Sequence, residues 1–449
     1  MTPIAMIKRA GAIGTVALAA ALSFPAQSFA AILHTFAGSD GDSPASTLVS
    51  ANGNYFGTTL YGGVGGSGGS RSGWGTVYEI SSSGSFSSLY KFANGADGAT
   101  PSGLTYGTDG NFYGTTSKGG AHGFGTVFQL TSSGTLNTLY SFSGGTGGYG
   151  GNALTQGTDG NLYGTSYGGI GSGNGTLFKI DANTKAFSTL HTFAGGTTDG
   201  AAPMSGLIQA SDGNFYGTTS QGGSANGGTV FKMDQAGAVT VIHSFTNDNS
   251  GYSPFAALVQ GSDGSLYGST YVGGYGGGAL FKLKTDGSSF AMLRGFGTGF
   301  YGGQVPGAYP LAAMIQGLDG YFYGTTTYTA PLTLGGTVFK VSFDGSYFTD
   351  VGGFAPGYGS APGGSDPMGG LVQGSDGTLF GTAASDGQNG RGVIYSIAVN
   401  SAPVPEADTF VYMGLGIVLV GRFARRRSKQ DLRQSAAGLA MPDQLRGLA

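Results

Sequence analysis

The residues from which catalytic or metal chemistry could be built are few: four histidines, no cysteine, and aspartates that return at one recurring position. Asp109, Asp159, Asp212, Asp263, Asp319 and Asp376 each precede a glycine, and a ring of such carboxylates would suit calcium. Calcium, however, takes six to eight oxygens at one point. A single carboxylate per repeat cannot supply them, and Asp before Gly is a ready turn former. Asp181, Asp234, Asp286 and Asp344 are read the same way. His34, His191 and His243 share one setting, Leu/Ile-His-Thr/Ser-Phe, and His122 stands apart. Equivalent positions in separate repeats do not converge, so neither a histidine metal site nor His-based acid–base catalysis is expected. Paired-carboxylate hydrolysis lacks material, because Glu79 is the one glutamate between residues 31 and 404,. The glycines at 63, 65 and 68 match a dinucleotide fingerprint by letters, but no helix follows and no acid is placed for a ribose,. The expectation is a chain with no catalytic residue, cofactor or metal.

The elements that position these residues are set by glycine. There are 92 glycines in 449 residues, without a Gly-X-Y period and with only 15 prolines, which excludes collagen,. Hydrophobic residues make up 39% and aromatics 12%, so the glycines punctuate a packed structure. Without cysteine there are no disulfides, thiolate zinc sites or cysteine nucleophiles,. Between Ala31 and Val404 there are 11 Lys plus Arg against 19 Asp plus Glu, a net of −8. Nucleic-acid binding needs the opposite sign and is excluded.

One motif recurs seven times: NGNYFGTT, DGNFYGTT, DGNLYGTS, DGNFYGTT, DGSLYGST, DGYFYGTT and DGTLFGTA, with its first glycine at 53, 110, 160, 213, 264, 320 and 377. Each copy divides into four short runs rich in Thr, Val, Tyr and Phe, separated by glycine-containing turns,. Asp-Gly and Asn-Gly point to tight hairpins in which both central residues take φ > 0. Four antiparallel strands in roughly fifty residues, with no intervening helix, describe a propeller blade. The fourth run follows six copies, as in Leu89-Tyr90-Lys91-Phe92, but the seventh copy lacks it. Leu33-His34-Thr35-Phe36 near the N-terminus supplies the missing piece. The sequence therefore predicts a seven-bladed β-propeller over 31–399, its last blade completed by the N-terminal strand. The pairs Phe112-Tyr113, Phe215-Tyr216 and Phe322-Tyr323 fall on opposite faces of a strand and are expected between blades,.

Both ends read as sorting elements. Residues 1–30 combine Lys8 and Arg9, an apolar run and Ser28-Phe29-Ala30, the order of a secretory leader,. Residues 400–427 hold Val404-Pro405-Glu406, the apolar run Phe410 to Gly421 and Arg425-Arg426-Arg427, with a tail at 428–449. This order resembles the PEP-CTERM sorting signal, with Ala407 at the place of the second proline. The resemblance implies a Gram-negative host, recognition by an exosortase-type enzyme and a transient inner-membrane helix. The repeats themselves resemble the GloVer tandem repeat of bacterial surface proteins. Together these resemblances imply an exported, non-enzymatic scaffold at the cell surface or in the matrix, with extracellular polysaccharide as its candidate partner. Two alternatives stay open: a propeller-fold polysaccharide or streptogramin-type lyase, and a self-associating surface-layer protein.

Ligand contact is expected on one face. From the Gly-Thr of the second run to the glycine opening the third, copies two to seven span 10 to 12 residues, whereas the first spans 18 (Gly57 to Gly75). Such variation marks loops that carry function. The candidates there are Tyr61, Arg71, Trp74, His122, Tyr167 and Tyr275.

Overall fold

The computed structural model describes residues 30–66, 68–144, 148–168, 173–297, 307–329, 333–354 and 364–399. The leader and the sorting segment lie outside these residues. Within them the chain forms seven antiparallel four-stranded units arranged as a propeller, and no helix is long and apolar enough to cross a membrane. Blade 1 comprises Val49–Ala51, Asn54–Thr59, Thr76–Ser81 and Phe86–Lys91. Blade 7 comprises Val372–Gln373, Leu379–Ala383 and Val393–Ile397, and its outer strand is Ala31–Thr35. Ala31 pairs with Ser396 and Thr35 with Val393, so the N-terminal segment closes the ring as the repeat count requires. Phe36 N–H then donates to the Gly392 carbonyl, and Arg391 pairs with the buried Asp42 at 2.8 Å across the seam.

The third strand shows why the blades need one another. In Thr126–Leu130 every residue but Gln129 is buried, although successive side chains point to opposite faces,. Phe128 and Leu130 join the cluster of Phe56, Val77, Phe92 and Phe112, whereas Val127 joins Phe142, Phe178 and Ile180. A blade thus has no core of its own; each core belongs to a joint. The Gly of the YGTT motif is set by the same packing, since a Cβ on Gly114 would lie 2.5 Å from the Phe128 ring.

The Leu-His-Thr-Phe pattern has a specific cause. In every blade the outer strand slips by one residue against the third strand, leaving Leu33, Leu89, Leu139, Leu190, Ile242, Leu293 or Val351 unpaired. Each of these packs against the core of its joint. Such bulges add twist and blunt an otherwise exposed edge.

The Asp-Gly turns differ from expectation. Only Asn52-Gly53 is a two-residue turn with both φ positive (51° and 81°). In the second repeat Gly107 N–H bonds to the Asn111 carbonyl around Thr108-Asp109-Gly110, and of these three only Gly110 has positive φ. That is a three-residue loop ending in a left-handed glycine. The aspartate stays in ordinary backbone geometry and works through its carboxylate.

Candidate functional site

The first-to-second and third-to-fourth turns share one face of the ring, the Asp-Gly face. The second-to-third loops and the connectors between blades share the other. On the Asp-Gly face, Asp109 Oδ1 accepts from the Asn111 backbone N–H, and Oδ2 accepts from the Asn111 amide and, at 2.6 Å, from the Tyr113 hydroxyl. The same Tyr-to-Asp bond recurs at Tyr163–Asp159, Tyr216–Asp212, Tyr267–Asp263 and Tyr323–Asp319. Burial works to raise the Asp109 carboxyl, but the hydrogen bonds from Tyr113 and Asn111 outweigh it and hold the group below its ordinary value. Burial, then Asp109, pushes the Tyr113 hydroxyl up to about 12, the opposite of what a catalytic base would need,. A glutamine of the next blade ties five of these turns: Thr108 N–H donates to Gln156 Oε1, Thr158 to Gln209, Ser211 to Gln260, Ser262 to Gln316 and Leu318 to Gln373. The recurring aspartates are fittings of their own turns, and among the described residues no group of three or more His, Asp or Glu is placed to hold a metal ion.

The rim histidines are fittings as well. His34 stacks on Phe86 of the next blade at 3.7 Å and meets Asp40 through Nε2 at 3.0 Å. His191 meets Asp199 at 3.1 Å, and His243 stacks on Phe290 at 3.9 Å, its imidazole pushed down by burial. Tyr90 plays the same part in blade 1, donating to Asp97. The aspartate partners sit in connectors of irregular length, which is why sequence reading paired none of them with its histidine.

The connector face is built by a second repeated device. Ser43, Thr100, Ala202, Ser253, Tyr309 and Asp366 all adopt φ of 53–60° and each precedes a proline. These prolines lie over the glycine that opens the third strand of the preceding blade; a Cβ on Gly75, for instance, would stand 2.5 Å from Pro101 Cδ. The residues after the prolines, Ala45, Ser102, Met204, Phe255, Leu311 and Met368, together with Asn152, line the central channel. The channel encloses about 270 Å³, and its described lining carries no ionisable side chain.

The joint between blades 2 and 3 departs from this plan. Gly150-Gly151 replaces the left-handed residue and proline, and Gly125 meets the Gly150 backbone instead of a proline ring. The connector segment Tyr149–Gly151 pairs with Leu162–Tyr167, placing Tyr149 opposite Tyr167. Beside them a hollow of about 530 Å³ opens, lined among others by Ser102, Lys118, Tyr149, Asn152, Tyr167 and Met204. Tyr167 is 47% exposed, and Tyr149 stands edge-on to Phe124 with ring centroids 4.7 Å apart. The Asn152 amide donates both to Thr165 Oγ1 and to the Pro203 carbonyl, which orients it at the rim of the channel.

Of the six residues expected on the ligand face, Tyr167 alone lines this hollow. Tyr61 pairs through its backbone with Asp42, and Arg71 N–H donates to the Asp42 carboxylate, so both brace the closing seam. The Trp74 carbonyl accepts from Thr100, while its ring is 37% exposed. His122 is exposed in the blade 2 loop, and Tyr275 is 59% exposed in blade 5. These loops share a face without forming one site. Lys118, Tyr149, Asn152 and Met204 were missed; the readable signal was Gly-Gly at 150–151, where six other joints have proline in the second place.

Comparison with solved structures speaks for the fold alone. The chain is similar to the extracellular domain of a protein assigned as a hybrid two-component system of B. thetaiotaomicron (12% identity, 84% of this chain and 42% of that one, TM-score 0.51). It is also similar to a gluconolactonase of Xanthomonas campestris (10% identity, 82% and 88% covered, TM-score 0.38). A third is the PQQ-bound aldose sugar dehydrogenase of Streptomyces coelicolor (13% identity, 67% and 94% covered, TM-score 0.41). No curated protein matches the sequence. The sequence model of the Gloeobacter/Verrucomicrobia repeat matches twice, over residues 25–212 and 203–411, and with the blade pattern above the chain belongs to that repeat family.

Proposed function

We propose that this propeller is an exported, non-enzymatic scaffold at the cell surface or in the matrix, and that it holds extracellular polysaccharide on its connector face. The observation that carries the reading is the contrast at the joints. The recurring aspartates of the Asp-Gly face and His34 and His191 of the rim are engaged in structural bonds within a blade or to its connector, whereas the connector face offers an open hollow with two tyrosines beside the channel mouth. An aromatic wall with a few polar groups suits a sugar's mixed apolar and hydroxyl surfaces. The uncharged channel lining weighs against the lyase alternative, which requires an acid–base pair where substrate would sit,. The bulged outer strands weigh against edge-to-edge self-association,.

Residues 1–30 act in this reading as a secretory leader, and residues 400–427 as a PEP-CTERM-type signal handled by an exosortase-type enzyme. Ala31 lies beside Ser396 at the Asp-Gly face. An anchor following residue 399 would therefore leave the connector face turned away from the membrane. The test is a glycan array probed with the full chain and with Tyr167→Ala. Glycan signals that fall in the variant support the reading, and a blank array for the intact chain refutes it.

A further inference from the structure

We propose that the hollow between blades 2 and 3 selects carboxylated sugar chains, with Lys118 as counter-charge and Tyr149 and Tyr167 as the surfaces along which the rings lie. This rests on the polysaccharide reading and narrows it to a ligand class.

The repeat supplies its own controls. Six joints fill this place with a side-chain-bearing residue and a proline ring, whereas Gly150-Gly151 leaves it open. The volume, about 530 Å³, falls in the range that holds a small ligand or a few linked rings,. Lys118 is the distinctive charge. It pairs with Ala99 where the connector meets the end of the second strand. The corresponding partners in other blades are Tyr61, Gln221, Val272, Tyr328 and Ser385, none of them a cation. Among the described residues the Lys118 ammonium is exposed and makes no ion pair or hydrogen bond, and the described lining of the hollow holds no carboxylate. Around it is a body with a net charge of −8 between residues 31 and 404, which repels polyanions in general,. One unbalanced cation on such a surface admits an anion at that place and at few others. Both amide hydrogens of Asn152 are already committed, so its carbonyl oxygen is the atom left to accept from a sugar hydroxyl,.

The test is titration of the full chain with galacturonate, mannuronate and glucuronate-containing oligomers, each beside its methyl ester, which keeps the backbone and removes the charge. At least one acid should bind about tenfold tighter than its ester, the scale of one charge-assisted hydrogen bond. Added salt should narrow that gap. Lys118→Gln should bring acid and ester to equal affinity without moving the unfolding midpoint, and Tyr167→Ala should weaken both. If acid and ester bind alike while neutral glycans bind the array, the charge selection is wrong and the polysaccharide reading stands. If every array glycan and every oligomer fails, that reading falls with it. Acid preference that survives Lys118→Gln, or binding that survives Tyr167→Ala, would place the site elsewhere and overturn the proposal.

Discussion

The two ends of the joint between blades 2 and 3 obey different rules. At the Asp-Gly end, Gln156 holds the Thr108 turn as Gln209, Gln260, Gln316 and Gln373 hold theirs. At the connector end, Gly150-Gly151 stands where the other joints have a left-handed residue and proline, and there the hollow opens. One end is tied in the same way at five of the seven joints, whereas the other is free to vary. Repetition in this molecule marks what holds the blades together, and a break in repetition marks where something else can enter.

The largest expected effect lies on the repeated side. Asp319 is 3% exposed and accepts from the Tyr323 hydroxyl and the Lys340 ammonium, each at 2.7 Å. Asp319→Ala leaves the buried Tyr323 hydroxyl and the partly exposed Lys340 ammonium without this partner and should cost about 3 kcal/mol,. Denaturant unfolding would measure the loss, and glycan binding at the distant hollow should be unchanged.

The rim allows a second test, where Asp350 replaces the regular pattern. Burial pushes its carboxyl up to about 6, and Arg294 only partly opposes this. The folded state therefore holds the proton more tightly than the unfolded chain. Stability is full below the unfolded value near ~4 and falls as pH rises through about 6,. Asp350→Asn should raise stability by about 2 kcal/mol near neutral pH and have little effect at acid pH, as read by melting curves across that range. A uniform shift at all pH values would contradict the titration.

A smaller gain is expected at the third strands of the two blades that meet at the closing seam. Tyr78 and Tyr395 occupy the place of Phe128, Phe178, Phe231, Phe281 and Phe339, fully buried and with hydroxyls that have no hydrogen-bond partner. Tyr78→Phe and Tyr395→Phe should each stabilise by about 1 kcal/mol in thermal unfolding.

The fold was legible because its devices repeat. Leu-His-Thr-Phe at the front announced the missing strand, and the second threonine of each GTT matches that of GTV because their hydroxyls bond across the strands, as Thr116 and Thr126 do at 2.9 Å. What stayed hidden was relational. Nothing in Leu33 alone says that it bulges, and nothing in His34 names Asp40 as its partner, because both depend on a neighbouring blade or on connectors whose lengths differ. The candidate site was legible by face and through Tyr167. Lys118 and Tyr149 come together only because the Gly-Gly connector takes another path, a change that the sequence showed as a missing proline.

The central claim is that the hollow, rather than the repeated turns, meets the ligand, and hydrogen exchange on the intact chain with and without a bound array glycan tests it most directly. Protection should appear in the segments around Lys118, Tyr149 and Tyr167, and Tyr167→Ala should remove it while shifting stability by no more than ~0.5 kcal/mol. Protection centred on the Asp-Gly turns around Asp109, Asp159 and Asp212, with the hollow unchanged, would contradict the account.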